Sequence, residues 1–231
     1  MAEEEQKKVK FPRAVVVEFD FTAIDGAQLL FDIARSQLAK YGIDLTVKLE
    51  AMHLVNGNCQ GAFRELFEKF GKKDDPAAVA RELMDAFRAA LTEKAAAAVT
   101  PDFKAFVKAL SAKGLKTVIA TRADIESIKP AFADLDANLV SLYSEPSQTY
   151  GNCKWDAWRR ALRAHDLHEM LSVAVAGSGY GVRSALIAGM PVIALVHDHV
   201  AYQDFGGADV VVDAFSADLA KDVLRMLHIE G

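Results

Sequence analysis

Between Pro101 and His228 short apolar runs alternate with amphipathic stretches, and no other feature narrows the fold as much. Phe103, Phe106, Val107 and Leu110 share one helical face, closed by Gly114. Lys116 to Ala120 then reads as a strand ending at Thr121. The pattern continues with strands predicted at about 138–143, 172–176, 191–196 and 208–212, and helices at about 155–164, 182–188 and 216–228. Such alternation requires right-handed crossovers, and so a Rossmann-like α/β fold: a parallel sheet with helices on both faces. One further strand, predicted at 13–19, stands far upstream. Its run from Ala14 to Val17 is apolar throughout, as suits a strand covered on both faces.

Between that strand and the β/α series, Ala27 to Ala98 shows no strand pattern. Leu29, Leu30, Ile33 and Leu38 line one helix; Phe63, Leu66, Phe67 and Phe70 line a second; Leu83, Met84, Phe87 and Leu91 line a third. Asn56-Gly57-Asn58 and Gly71 with the following KKDDP break the chain between them. The expected organisation is a disordered charged tail over 1–12, a core domain over 13–26 and 99–231, and an all-helical cap subdomain over 27–98.

With 231 residues and 52% apolar composition the chain can bury a full core. A formal charge of −5 gives no basic field for nucleic acid or an anionic membrane. Cys59 and Cys153 lie far apart and in no metal-type spacing, which reads as reduced thiols in a cytoplasmic protein. The N-terminus has no apolar signal region, and no run of about 18 apolar residues occurs, so neither secretion nor membrane insertion is expected.

The chemistry gathers where strands end. The first strand delivers Glu18 and Asp20, followed at once by Thr22 and Asp25, to the end where open parallel sheets bind their ligands. Thr121 ends a second strand, where it either meets a ligand or caps the next helix. Gly177-Ser178-Gly179-Tyr180-Gly181 joins a strand to a helix N-terminus, as an anion cradle or as a plain tight turn. Arg122 and Arg183 each begin a predicted helix near this edge, as cationic neighbours or as solvated side chains. His197-Asp198-His199 is either a solvated loop or a transition-metal site. Trp155 and Trp158 share one helix face and read as core.

The stretch Glu18-Phe19-Asp20-Phe21-Thr22, with Asp25 beyond it, resembles the first motif of the haloacid dehalogenase superfamily, a strand followed by Asp-x-Asp-Gly-Thr. The resemblance covers roughly residues 13–228 and points to the helical-cap subgroup of phosphoglycolate phosphatases and β-phosphoglucomutases. It implies that Glu18 holds the nucleophile position, Asp20 the acid/base position and Thr121 the phosphate-binding position. Phe21 replaces the glycine of the motif. Aligning Asp156 and Trp158 with the third motif places Asn152 where the family has lysine. Lys154 stands two residues away, either reaching the site or opening a helix at the surface. Ser178, Gly181, Ala188, Gly189, Met190 and Pro191 fit the fourth motif, but Ala176 and Gly177 occupy its acidic positions.

These departures set the functional expectation. Mg²⁺ needs hard oxygen ligands, and neither Ala176 nor Gly177 has one on its side chain. The extra methylene of Glu18 would displace an attacking oxygen by about 1 Å, a misplacement that can cost about 10²-fold. The resemblance with these losses implies a noncatalytic member without a cofactor. Thr22, Arg122, Ser178, Gly179, Tyr180 and Gly181 would hold a small anionic ligand, or a surface would take a protein partner. The alternative is a slow phosphatase or phosphomutase for small phosphorylated metabolites, which would need Mg²⁺. Dehalogenase chemistry without metal would require the aspartate that this chain lacks.

Overall fold

A computed structural model of the chain describes residues 11–55, 59–144 and 155–229. The first strand, β1 (Ala14–Glu18), is buried along its whole length and runs into a single helical turn, α1 (Phe19–Thr22). The chain then leaves the sheet for four helices, α2 (Gly26–Ala39), α3 (Val47–His53), α4 (Cys59–Lys69) and α5 (Pro76–Ala98). Asp25, Thr46 and Asp75 start α2, α3 and α5 by accepting from the N–H groups of Gln28, Leu49 and Ala77. The periodicity predicts three helices here. The fourth, α3, has seven residues, too few for a repeating apolar stripe, and its one sequence signal is the Thr46 cap.

The chain re-enters the core through α6 (Pro101–Ser111), which is capped by Thr100. There follow β2 (Lys116–Thr121), α7 (Ile125–Ile128), β3 (Val140–Ser144), α8 (Trp155–Ala164), β4 (Ser172–Ala176), α9 (Gly179–Ile187), β5 (Val192–Leu195), β6 (Val210–Val212) and α10 (Leu219–Met226). The β3 strand starts at Val140, two residues later than predicted, because the Asp136 carboxylate holds a turn by accepting from the N–H of Asn138. Helix α9 starts at Gly179, earlier than predicted, because Ser178 caps it.

All six strands pair in parallel, in the order β3-β2-β1-β4-β5-β6. The order runs away from β1 in both directions, so the carboxyl end of β1 lies at the switch point where such sheets place their sites. Val15 and Val17 face one hydrophobic cluster, which continues through Phe19 and Phe103 into the cap at Leu30, Phe63, Leu83 and Phe87. Ala14 and Val16 face a second cluster with Val118, Ala174, Trp158 and Val182. Trp158 is buried as its spacing implies; the side chain of Trp155 lies outside the described residues. The cap therefore shares one apolar core with a face of the sheet. No described helix is long and apolar enough to cross a membrane.

Candidate functional site

At the end of β1 the two carboxylates turn in different directions. Glu18 is 1% exposed and its Oε2 accepts from the N–H of Gly177 at 3.2 Å, at the entry to α9. A Cβ added to Gly181 would come within 2.9 Å of the same oxygen and 3.2 Å of the Ala176 methyl. The Glu18 carboxylate thus sits at the positive end of the α9 dipole, beside the positions where the resemblance places acids.

Asp20 is fully buried, and its two oxygens are both engaged. Oδ1 accepts from Thr121 Oγ1 at 2.5 Å; Oδ2 accepts from the Arg122 backbone N–H at 2.8 Å and from Arg122 Nη1 at 3.2 Å. Burial pushes the Asp20 carboxyl above its ordinary range, against the pull of the Arg122 guanidinium and the Thr121 hydroxyl. Thr121 also accepts from the N–H of Ala123 at 3.0 Å, while the cap of α7 is Asp124, so Thr121 is not a helix cap. Arg122 does not begin a helix, contrary to the sequence expectation, because α7 starts three residues later; its side chain is 1% exposed.

Phe21, in the glycine position of the motif, is 2% exposed. Its ring lies 6.0 Å from that of Phe87 on cap helix α5, and the Arg122 guanidinium stands 5.7 Å from its centroid. An aromatic side chain therefore packs into the junction between cap and core beside the Arg122 guanidinium. Thr22 is also turned inward, donating from Oγ1 to the Glu18 carbonyl at 2.8 Å.

The glycine-rich turn before α9 has its donors engaged within the chain. Besides Gly177, the N–H of Gly179 goes to Gln203 Oε1 at 2.9 Å and that of Gly181 to Ser178 Oγ at 3.0 Å. Tyr180 is half-buried in the first turn of the helix, and Arg183 is exposed. Of the residues expected to bind a ligand, Thr22, Arg122, Ser178, Gly179 and Gly181 all make contacts inside the protein. Lys154, with Asn152 and Cys153, lies outside the described residues. Cys59 is buried against the Ala80 carbonyl, and burial pushes its thiol up to about 12, which makes it inert.

The described residues do not fit Mg²⁺. Ala176 and Gly177 offer no side-chain oxygen, and the Glu18 carboxylate is directed to a backbone N–H. An acid could not be placed at position 177 in this backbone, since its Cβ would overlap the carbonyl of Phe21. Among the described residues no group of three or more His, Cys, Asp or Glu could hold a metal ion. The His197-Asp198-His199 segment is divided: His197 Nε2 meets the Thr22 carbonyl at 2.9 Å, and His199 Nε2 meets Glu50 of the cap at 2.9 and 3.2 Å. Neither the aromatic plug nor the Glu50 contact was readable from spacing, because each pairs residues far apart in the chain.

A six-stranded parallel sheet with a helical insert after its first strand, and two carboxylates at that strand's end, defines a Rossmann-like α/β core bearing a helical cap. The family model for haloacid dehalogenase-like hydrolases matches residues 15–195, and the chain belongs to that family. No curated protein matches the sequence. Among solved structures the chain is similar to a β-phosphoglucomutase from Clostridium difficile, with 12% identity, coverage of 94% of this chain and 97% of that one, and a TM-score of 0.69. It is also similar to CbbY from Rhodobacter sphaeroides in complex with phosphate, with 20% identity, 90% and 96% coverage, and a TM-score of 0.62. A predicted phosphoglycolate phosphatase from Haemophilus somnus gives 16% identity, 93% and 99% coverage, and a TM-score of 0.59. At these identities the likeness is one of fold: a parallel sheet with an inserted helical cap.

Proposed function

We propose that this chain is a noncatalytic member of its family, which acts by binding a small anionic molecule or a protein partner. The observation that carries the reading is the engagement of both Asp20 oxygens by Thr121 and Arg122. A general acid/base must reach the proton that it moves, and an anion site must have donors to offer. Here the acid/base carboxylate accepts from the very donors that a phosphate would need, and Phe21 packs against the Arg122 guanidinium and cap residue Phe87. Phosphoryl transfer depends almost wholly on positioning and electrostatic stabilisation, and positions 176 and 177 carry no acid to hold a metal that would supply much of the charge.

An open cavity of about 540 Å³ at the cap–core junction, of mixed polar and apolar lining, supports the small-molecule form of the reading. Arg88 and Thr92 of α5 line it with Arg122, Asp124, Glu126 and Ser144 of the core. The other reading, a slow Mg²⁺-dependent phosphatase or phosphomutase, is favoured by the retention of Asp20, Thr22 and Thr121. Thermal unfolding in the presence of Mg²⁺ separates the two. A ligand that binds only the folded state at about a hundredfold excess over its Kd adds about 2.7 kcal/mol, a rise of roughly 5 to 10 °C for a chain of this size. We expect MgCl₂ at about 10 mM to leave the melting temperature within about 1 °C of an NaCl control of equal ionic strength. A reproducible Mg²⁺-specific rise of several degrees, abolished by Glu18→Gln, would replace the noncatalytic reading with the enzymatic one.

A further inference from the structure

The cap leaves the core at Ala23–Asp25 and returns at Val99–Thr100, so two chain crossings and the contacts between cap and sheet decide how firmly it sits. Most of those contacts are apolar and indifferent to solution conditions. One is not. Glu50, on cap helix α3, and His199, in the short helical turn Asp198–Val200 after β5, meet through Nε2 and both carboxylate oxygens at 2.9 and 3.2 Å. Their side chains are 6% and 7% exposed. The ring of Phe31, from cap helix α2, lies 5.0 Å from the imidazole and closes the contact on a second side.

We propose that Glu50 and His199 form a proton-controlled latch that holds the helical cap on the core, firm when the imidazole is charged and loose when it is neutral. This inference is independent of whether the site turns over, since neither residue touches it. A charged donor to a carboxylate makes a hydrogen bond roughly twice as strong as a neutral one, and burial keeps solvent from screening the difference. The groups facing His199 agree in sign. Glu50 approaches from α3, Asp32 from α2 and Asp25 from its N-cap, and Asp198 adjoins it on its own turn; Tyr202, nearly half exposed beyond that turn, has its hydroxyl raised above its ordinary value by desolvation and by Glu50. The hydrogen bond to Glu50 raises the His199 imidazole above its ordinary 6.5, with burial opposing and the carboxylates of Asp25 and Asp32 assisting. A group raised in this way stabilises the latched state fully below its unlatched value. The contribution is lost as pH climbs through the latched value.

Hydrogen exchange on the full-length protein tests the latch. Amide protection in peptides from α2 and α3, corrected for intrinsic exchange, is compared at about pH 6 and pH 8.5 with protection in β1 and β4. In the wild type we expect cap protection to fall about tenfold more than sheet protection over this range, the ratio that separates a charged from a neutral hydrogen bond. His199→Gln keeps a donor that cannot be charged, so its cap protection should be low at both pH values and show no excess fall. Glu50→Gln should abolish the excess in the same way, and serves if the first variant folds poorly. A purely structural role would lower protection in either variant while preserving the pH response of the wild type. Equal cap and sheet responses in the wild type, or an undiminished excess fall in either folded variant, would overturn the latch.

Discussion

The carbonyl of Phe21 occupies the space in which any side chain at Gly177 would have to start. A Cβ built there overlaps that oxygen and lies 2.7 Å from Phe21 Cβ. Glycine at position 177 is thus linked to the path of the backbone at Phe21, which fills the room that a side chain would need. Gly177→Ala should cost about 3 kcal/mol or more, because the obstacle is backbone and not a side chain that can turn away. Thermal unfolding should register this as a loss of roughly 6 to 12 °C. A melting temperature within a degree of the wild type would mean that α1 moves aside freely and that the linkage is wrong.

A second expectation concerns the buried pair at the centre of the site. Arg122→Met leaves Asp20 without its cationic partner, and breaking a buried pair in this way costs about 3 to 5 kcal/mol. Asp20→Asn in the same background should return part of the loss, because the remaining group carries no charge. The pH dependence has a definite sign. The folded-state value of Asp20 already lies above 3.8 through burial and rises further without Arg122, so its favourable contribution is present below the unfolded value and lost as pH rises through the folded one. Urea midpoints for Arg122→Met should therefore trail the wild type by less at about pH 4.5 than at pH 7.5. A constant deficit would show that Asp20 is not carrying an uncompensated charge.

Restoring the family aspartate at position 18 should not restore chemistry. Glu18→Asp shortens the side chain that reaches the Gly177 N–H at 3.2 Å, leaving a buried donor unmade at a cost of about 1 to 3 kcal/mol. It brings back neither an acid at 176 or 177 nor the exposure of Asp20. Groups that act as a unit are strongly non-additive, so the single change should lower the denaturation midpoint and leave phosphatase activity at background. Measurable turnover by this variant alone would show that the remaining residues already complete a site.

Much of this was legible in the sequence because it is periodic or local. The α/β alternation gave the parallel sheet, and apolar spacing gave α2, α4 and α5, though it marked only the middle of the 23-residue α5. The seven residues of α3 were too short for a period to register. The altered motifs could be read as missing groups, but not as what replaced them. That Asp20 turns to Thr121 and Arg122, that Phe21 rests on Phe87, and that His199 finds Glu50 are relations across 66 to 149 residues, which one sequence cannot encode visibly. The His197-Asp198-His199 cluster shows the limit clearly. Its spacing read as a solvated loop or a metal site, yet the two imidazoles serve different partners inside the protein.

The most direct test of the noncatalytic account is turnover itself. Purified protein with Mg²⁺ present should hydrolyse p-nitrophenyl phosphate and a panel of phosphorylated sugars and short acids no faster than a Glu18→Gln, Asp20→Asn variant shown by circular dichroism to be folded. Equal rates across independent preparations are the predicted result. A rate clearly above that control, lost on chelation of the metal, would contradict the account and make this chain a working phosphatase.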